Sequence, residues 1–386
     1  MRTGDQSYIK ELNKSIALQL LRSTPTISRT QIAKISGLNK ATISSIVDEL
    51  LEQNLVFEVG RGPSSMGRRP VLLQFNAEAG YAIGLEIAVH SLRAVVTNLA
   101  GKVLNTVHRP LNDHDVTSIL HEIKKIVTEI SAHIAPSPLG LLGVGVGVPG
   151  LVNFSRGIVL NAPNLSWRDV PLQNQLEEIL SLPVWIDNEA NAGALGEKRF
   201  GIGENASNMI YISAATGVGA GIIMQGDLVR GEDGLSGEFG HMTIESQGPL
   251  CSCGNRGCLE IFSSERTLLH EFRQVHEGAT FDDILQALDN GDLYALRCIQ
   301  KVGHYLGIGI ANMINAINPS IVVIGNRLAQ AGTYLLDAVN ESLSTRCFIK
   351  PYSGVTVQLS TLGIDACAMG AASIVVNHYF AGPDAS

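Results

Sequence analysis

Two stretches of this chain are variations on one pattern. Tyr81 to Thr97 and Met209 to Met224 each give an apolar strand, a turn and a second apolar strand. Each is followed by a tight turn containing glycine, Leu99-Ala-Gly101-Lys in one and Met224-Gln-Gly226-Asp in the other. Such self-similarity implies two related lobes, each opening with a hairpin. Between them the pattern predicts a helix near Val116 to Ile134 and a strand Leu142 to Val148 that ends at Pro149-Gly150. A helix near Leu172 to Leu180 and a strand Val184 to Ile186 follow. Alternating strands and helices restrict this part of the chain to an α/β architecture, and a cleft between two such lobes is a natural ligand site.

The chain has 386 residues, 45% apolar and 17% charged, enough for two or three domains with a sizeable core and against disorder. No run approaches the roughly 20 apolar residues of a membrane span. The early apolar stretch Ile16 to Leu21 is short, interrupted by Gln19 and preceded by Lys10 and Lys14, which does not suit a signal peptide. Cys298, Cys347 and Cys367 are scattered in apolar surroundings and read as buried thiols. A cytoplasmic protein without membrane attachment is expected.

The net charge of −8 is unevenly spread. Met1 to Val47 carries seven Lys/Arg against Asp5 and Glu11, a local +5 that leaves −13 on the remainder. A basic head on an acidic body implies that only the head meets a polyanion. In that head, Tyr8 to Arg22 reads as a helix with Ile9, Leu12, Ile16, Leu20 and Leu21 on one face. Ser28-Arg-Thr-Gln31 is a capping-box pattern opening a second helix, Arg29 to Ser36. Gly37-Leu38-Asn39 is a tight turn, and a third helix runs from Lys40 to Gln53. Helix, short glycine turn, helix is a helix-turn-helix signature. The start of the third helix offers Asn39, Lys40, Thr42, Ser44 and Ser45, short hydrogen-bonding side chains plus one cation that suit a major groove. Val56 to Gly60 and Pro70 to Phe75 read as two strands joined by a wing, whose Arg61, Arg68 and Arg69 suit phosphate or minor-groove contact. The plainer reading is a small helical module with a solvated basic loop. Geometry, charge and wing together favour DNA binding.

A third region concentrates metal-ligand chemistry. Gly237-Glu238-Phe-Gly-His241 is followed, nine residues on, by Cys251-Ser-Cys253-Gly-Asn-Arg-Gly-Cys258-Leu-Glu260. His241, Cys251, Cys253 and Cys258 are one nitrogen and three sulfur donors, the set that tetrahedral zinc prefers in structural sites. Cys251 and Cys253 are too close in sequence to pair well as a disulfide. The metal either fixes a loop or also shapes a ligand pocket, because it pins Glu238 and Glu260 near one place. Gly150, Asn164 with Trp167 in Pro163-Asn-Leu-Ser-Trp167, and Asp187-Asn188-Glu189-Ala-Asn191 are placed to converge on the same cleft. Paired carboxylates and amides serve adjacent hydroxyls, as sugar recognition requires. Taken alone, Asn188-Glu189 equally suits a helix cap. Thr216-Gly-Val-Gly-Ala-Gly221, at the second hairpin turn, suits either a phosphate-approaching backbone or simply a tight turn.

These motifs together resemble the ROK family of sugar kinases and repressors, over nearly the whole chain. Thr216 to Gly221, Gly237 to His241, Asn188 to Asn191 and the Cys251 to Cys258 run carry the likeness. The winged head points to the repressor branch, and Gly67-Arg-Arg-Pro70 and Gly237-Glu-Phe-Gly-His-Met-Thr243 to the xylose-operon repressors within it. The resemblance implies an actin-like, ribonuclease-H-like body in two lobes. Residues 1–78 would form the winged helix-turn-helix domain and 79–386 the sugar-binding body. Lobe one would take about 79–200 plus the C-terminal helix, lobe two about 201–360. It also implies structural zinc on His241, Cys251, Cys253 and Cys258, and a sugar site lined by Asn188, Glu238, His241 and Glu260, to which the converging segments add Gly150, Asn164 and Glu189. The implied protein is no enzyme but a repressor, a homodimer or dimer of dimers on a palindromic operator, released by xylose or a related monosaccharide.

The alternative is an ATP-dependent sugar kinase carrying a DNA-binding head. Two departures from the kinase pattern weigh against it. Glu189 stands where the kinases carry their basic Asp, and a reacting group misplaced by about 1 Å costs on the order of 100-fold. Glu86-Ile-Ala88-Val89-His90-Ser91 replaces Asp-x-Gly-Gly-Thr-Lys, so the first half of a phosphate cradle is missing.

Overall fold

A computed structural model describes residues 6–62 and 69–381. In the head, α1 (Gln6–Ser23), α2 (Arg29–Ser36) and α3 (Lys40–Glu52) surround Leu21, Ile32, Ile43, Val47 and Leu50. Ser28 and Gln31 form the anticipated capping box and Asn39 caps α3, its Oδ1 accepting from Thr42 N. Gly37, at φ 73, supplies the left-handed residue that the tight turn requires. The wing strands β2 (Val56–Arg61) and β3 (Val71–Phe75) pair antiparallel. A two-residue strand, β1 (Ile27–Ser28), adds to β3 on its other side, which sequence alone did not indicate. Wing residues 63–68, Arg68 among them, lie outside the described residues.

The body is built on two five-stranded sheets of matching design. The first begins with the hairpin β4 (Tyr81–Ile87) and β5 (Ser91–Asn98), then β6 (Val103–Pro110). After α4 (Val116–Ser131), β7 (Leu141–Val148) pairs parallel to β4. A small antiparallel sheet follows, β8 (Leu151–Asn153), β9 (Ile158–Ala162) and β10 (Trp167–Val170). Then α5 (Leu172–Leu180) leads to β11 (Val184–Asn188), parallel to β7, and α6 (Glu189–Phe200). The second sheet repeats the scheme with the hairpin β12 (Met209–Ala214) and β13 (Val218–Met224), and β14 (Asp227–Leu228) at its edge. After the cysteine segment come α7 (Glu260–Ser263), α8 (Glu265–Phe272), α9 (Phe281–Asp289) and α10 (Leu293–Ile317). Next are β15 (Ile321–Gly325), parallel to β12, then α11 (Thr333–Arg346) and β16 (Thr356–Leu359). The chain returns to the first sheet as α12 (Ala366–Phe380).

Each lobe has its own core. One gathers Ile83, Leu85, Ile123, Val146 and Ile186, the other Ile212, Leu306, Ile310, Val322 and Leu335. α12 packs against β4, β7 and α6 at backbone range. A Cβ on Gly84 or Gly145 would collide with the carbonyls of Ala368 and Ala371, so only glycine admits the helix so close. At its far end α12 supplies Val375, Val376 and Phe380 to an apolar cluster shared with Leu18, Leu21 and Leu73 of the head. The head is thus seated on the body's last helix.

Candidate functional site

The strands of both sheets end at one cleft of about 320 Å³ between the lobes. Gly150, Asn164, Asn188, Glu189, Glu238, His241 and Glu260 all line it. Their placement follows from local structure. Asn188 is the last residue of β11 and the N-cap of α6, with Oδ1 accepting from Ala190 N and Asn191 N. Its Nδ2 donates to Gly150 O at 3.0 Å and to Glu189 Oε2 at 2.9 Å. Cap and cleft residue are therefore one and the same. Glu189 opens α6, Glu238 immediately precedes the short turn Phe239–His241, and Glu260 opens α7. Asn164 reaches across to lobe two, its Oδ1 accepting from Arg266 at 2.6 Å.

Trp167 behaves otherwise. It is 4% exposed in the core of lobe one, and its Nε1 donates to His114 O at 2.7 Å. Its large apolar ring is better buried there than at a wet cleft. His114 in turn donates from Nε2 to Val89 O at 2.7 Å and holds the first hairpin turn.

The second glycine turn also lines the cleft, but one of its amides is already taken by a carboxylate of the chain. Val218 N donates to Glu260 Oε2 at 3.1 Å, and a Cβ on Gly217 would meet that same oxygen. The glycine admits a carboxylate of the chain itself.

Sequence reasoning missed several cleft residues. Glu86, a lone carboxylate inside the apolar strand β4, was noticed only as a departure from the kinase pattern. Asn326, just past β15, donates from Nδ2 to Ser213 Oγ at 3.1 Å and to Glu86 Oε1 at 3.5 Å, joining the lobes. Arg93, Glu265 and Arg327 line the cleft as well. Their cations are already partnered, Arg93 by Asp365 at 3.1 Å and Arg327 by Glu265 at 3.4 Å.

Burial dominates the electrostatics. It pushes Glu86 up to about 7, with Arg93 opposing, and Glu189 up to about 8, with Glu238, Glu86 and Glu260 adding repulsion. Glu238 is raised by burial too, with His241 opposing. Carboxyls raised in this way keep their protons to higher pH and can present hydrogen-bond donors as well as acceptors.

Beside this cleft His241, Cys251, Cys253 and Cys258 bring four ligand atoms within 4.8 Å of one another. Cys251 Sγ lies 3.7 Å from His241 Nδ1, and Cys253 Sγ 3.7 Å from Cys258 Sγ. A tetrahedral zinc with bonds of about 2.3 Å to sulfur sets its ligands about 3.8 Å apart, so the donors fit such an ion in number, chemistry and spacing. Two short bridges, Thr243 to Cys258 and Leu250 to Arg256, fold the segment back on itself.

In the head, Asn39, Lys40 and Ser45 are exposed at the start of α3, and Thr42 and Ser44 are half-buried. Arg61 and Arg69 are exposed at the two ends of the wing.

Fold and cleft together define a two-lobed, actin-like α/β body bearing a winged helix-turn-helix head. The chain belongs to the ROK family, which it matches over residues 82–378. It is 39% identical to the xylose repressor of Bacillus spizizenii over 98% of both chains. Among solved structures it is similar to a ROK family transcriptional regulator, a homolog of the E. coli MLC protein. That likeness has a TM-score of 0.81 at 28% identity and covers 97% of this chain and 98% of that one. A ROK family glucokinase from Streptomyces griseus, in complex with glucose and AMPPNP, matches at TM-score 0.71 and 30% identity. That match covers 76% of this chain and 99% of the glucokinase.

Proposed function

We propose that this protein is a sugar-responsive transcriptional repressor whose head binds a palindromic operator as a dimer and whose cleft binds the inducer, D-xylose or a related monosaccharide. The observation that carries the reading is the seating of a winged, basic head on the last helix of a body whose cleft gathers Asn188, Glu189, Glu238, His241 and Glu260. The likeness to named repressors over nearly the full length supports it. Asn39, Lys40, Thr42, Ser44 and Ser45 would face the major groove, with Arg61, Arg68 and Arg69 on the flanking phosphates. Zinc on His241 and the three cysteines would fix the segment that carries Glu238 and Glu260. Release needs unequal sugar affinity in the DNA-bound and free arrangements.

Glucokinases share this fold, so phosphoryl transfer is the competing activity. Glu189 argues against it: it stands where the kinases carry Asp, and its extra methylene displaces the carboxyl, a misplacement that at about 1 Å costs on the order of 100-fold. Ala88 and Val89, standing where the kinase pattern has glycines, also line the cleft. The test is fluorescence anisotropy on DNA from upstream of this gene, titrated with D-xylose, D-glucose and other sugars at fixed salt. Tight binding reversed by one sugar is expected. Sugar-dependent ATP turnover above background, without DNA binding, would overturn the reading.

A further inference from the structure

A continuous set of contacts leaves the floor of the cleft and ends in the head. Asp187, 1% exposed at the end of β11, accepts from Asn188 N at 2.8 Å and from Asn191 Nδ2 at 3.1 Å, and so holds the cleft's Asn188 in place. Its other oxygen accepts from Arg230 at 2.6 Å. Arg230 comes from lobe two, on the loop between β14 and Glu238, so this ion pair crosses from one lobe to the other. The guanidinium lies 4.0 Å from the ring centre of Phe154. Phe154 in turn sits 5.7 Å from His378, near the end of α12, and His378 stacks on Trp185 of β11 at 5.3 Å. Next to His378, Asn377 accepts from Arg22 of the head at 3.5 Å. Phe380 packs edge-on against Phe75 of the wing at 5.8 Å, and its carbonyl accepts from Ser15 Oγ at 3.1 Å.

Two features mark this path as more than packing. The Nε of Arg230 and the Nε of Arg22, at its two ends, are both buried with no hydrogen-bond partner among the described residues. Unpaired buried donors are uncommon, and each is a group that a second arrangement could satisfy. Secondly, α12 rests on glycine contacts along β4 and β7. A helix so closely seated moves as a unit instead of bending.

We propose that Arg230 and Phe154 couple the cleft to the head, passing a change in lobe position through His378 to the last turn of α12 and thence to Arg22 and the wing. This rests on the sugar-responsive reading above. Neither residue lines the cleft or the DNA face, so the pair acts on the coupling and not on either affinity. Lobe closure around a sugar displaces the loop that carries Arg230 relative to Asp187. The guanidinium slides on the Phe154 ring, and His378 transmits the shift to the helix end beneath the head.

Arg230→Lys keeps a cation for the buried Asp187 but removes the planar group that stacks on Phe154. Phe154→Leu keeps an apolar contact without the ring face. Full-length wild type, both single variants and the double variant would be measured in three ways. These are DNA affinity by anisotropy with and without saturating D-xylose, D-xylose affinity by calorimetry without DNA, and the thermal transition. Each variant is expected to keep both separate affinities within about threefold. The xylose-dependent change in DNA affinity, normally about 5- to 150-fold for such coupling, should fall toward unity. The double variant should lose no more than either single one, the mark of a shared path. Phe154→Tyr should retain the response. Folded variants that release DNA as the wild type does would overturn the inference, as would a response lost only because xylose no longer binds. A wild type that binds DNA but ignores every sugar refutes the functional reading itself, a result the wild-type arm reports separately.

Discussion

The side-chain amide of Asn188 donates to Glu189 Oε2 at 2.9 Å while its oxygen caps the helix that Glu189 begins. One side chain thus ends a strand, starts a helix and orients a carboxyl in the cleft. Substitution separates these roles. Asn188→Asp keeps the capping oxygen, loses the donor to Gly150 and Glu189, and places a charge beside an already crowded carboxyl. We expect it to lower sugar affinity at least tenfold in calorimetry. Asn188→Ala should instead cost about 1 kcal/mol of stability through the lost cap. Wild-type sugar affinity in the Asp variant would mean that the residue is only a cap.

The buried carboxyls predict a pH dependence of stability. Glu86 and Glu189 sit at about 7 and about 8 in the folded protein, above the ordinary value of 4.5. The folded state therefore holds protons that the unfolded chain has released. Stability from these groups is fully present below about pH 4.5 and is lost as pH rises through 7 and 8, by at most about 1.4 kcal/mol per pH unit each. Denaturant titrations of the ligand-free protein from pH 5.5 to 8.5 should show this decline, and Glu86→Gln or Glu189→Gln should flatten it. A slope unchanged by both substitutions would show that these groups titrate normally.

Removing metal should affect the cleft, because His241 belongs to the donor cluster and to the cleft wall. Cys253→Ser is expected to abolish stoichiometric zinc by elemental analysis, lower the melting temperature and weaken sugar binding at least tenfold. Chelation of the wild type should do the same, reversibly. Normal sugar affinity in zinc-free protein would confine the metal to holding its own loop.

In the wing, Arg69→Ala is expected to weaken operator binding and reduce the slope of log affinity against log salt by about one, with sugar affinity unchanged. An unaltered slope would remove Arg69 from the phosphate contacts.

The sequence by itself determined whatever depends on neighbours along the chain. The capping box at Ser28 and Gln31, the Asn39 cap, the paired hairpins at Tyr81 and Met209 and the spacing of the four metal donors are short-range patterns, and each appears where periodicity and residue chemistry put it. Of the seven cleft residues, Gly150, Asn188 and Glu189 stand at strand ends or helix starts and Glu238, His241 and Glu260 belong to or flank the metal segment, while Asn164 lies in the turn Pro163–Leu165. Only the tertiary structure decided the rest. Trp167 follows Asn164 by three residues, yet it begins β10 and is buried in the core of lobe one. Glu86 and Asn326 are 240 residues apart in sequence and meet only because two sheets face each other. The raised carboxyls depend on how much water the closed wall excludes, a property of the whole surface around them. Arg230, Phe154 and His378 carry no local pattern at all, because aromatic and cationic contacts between distant segments depend on how lobes and helix are assembled.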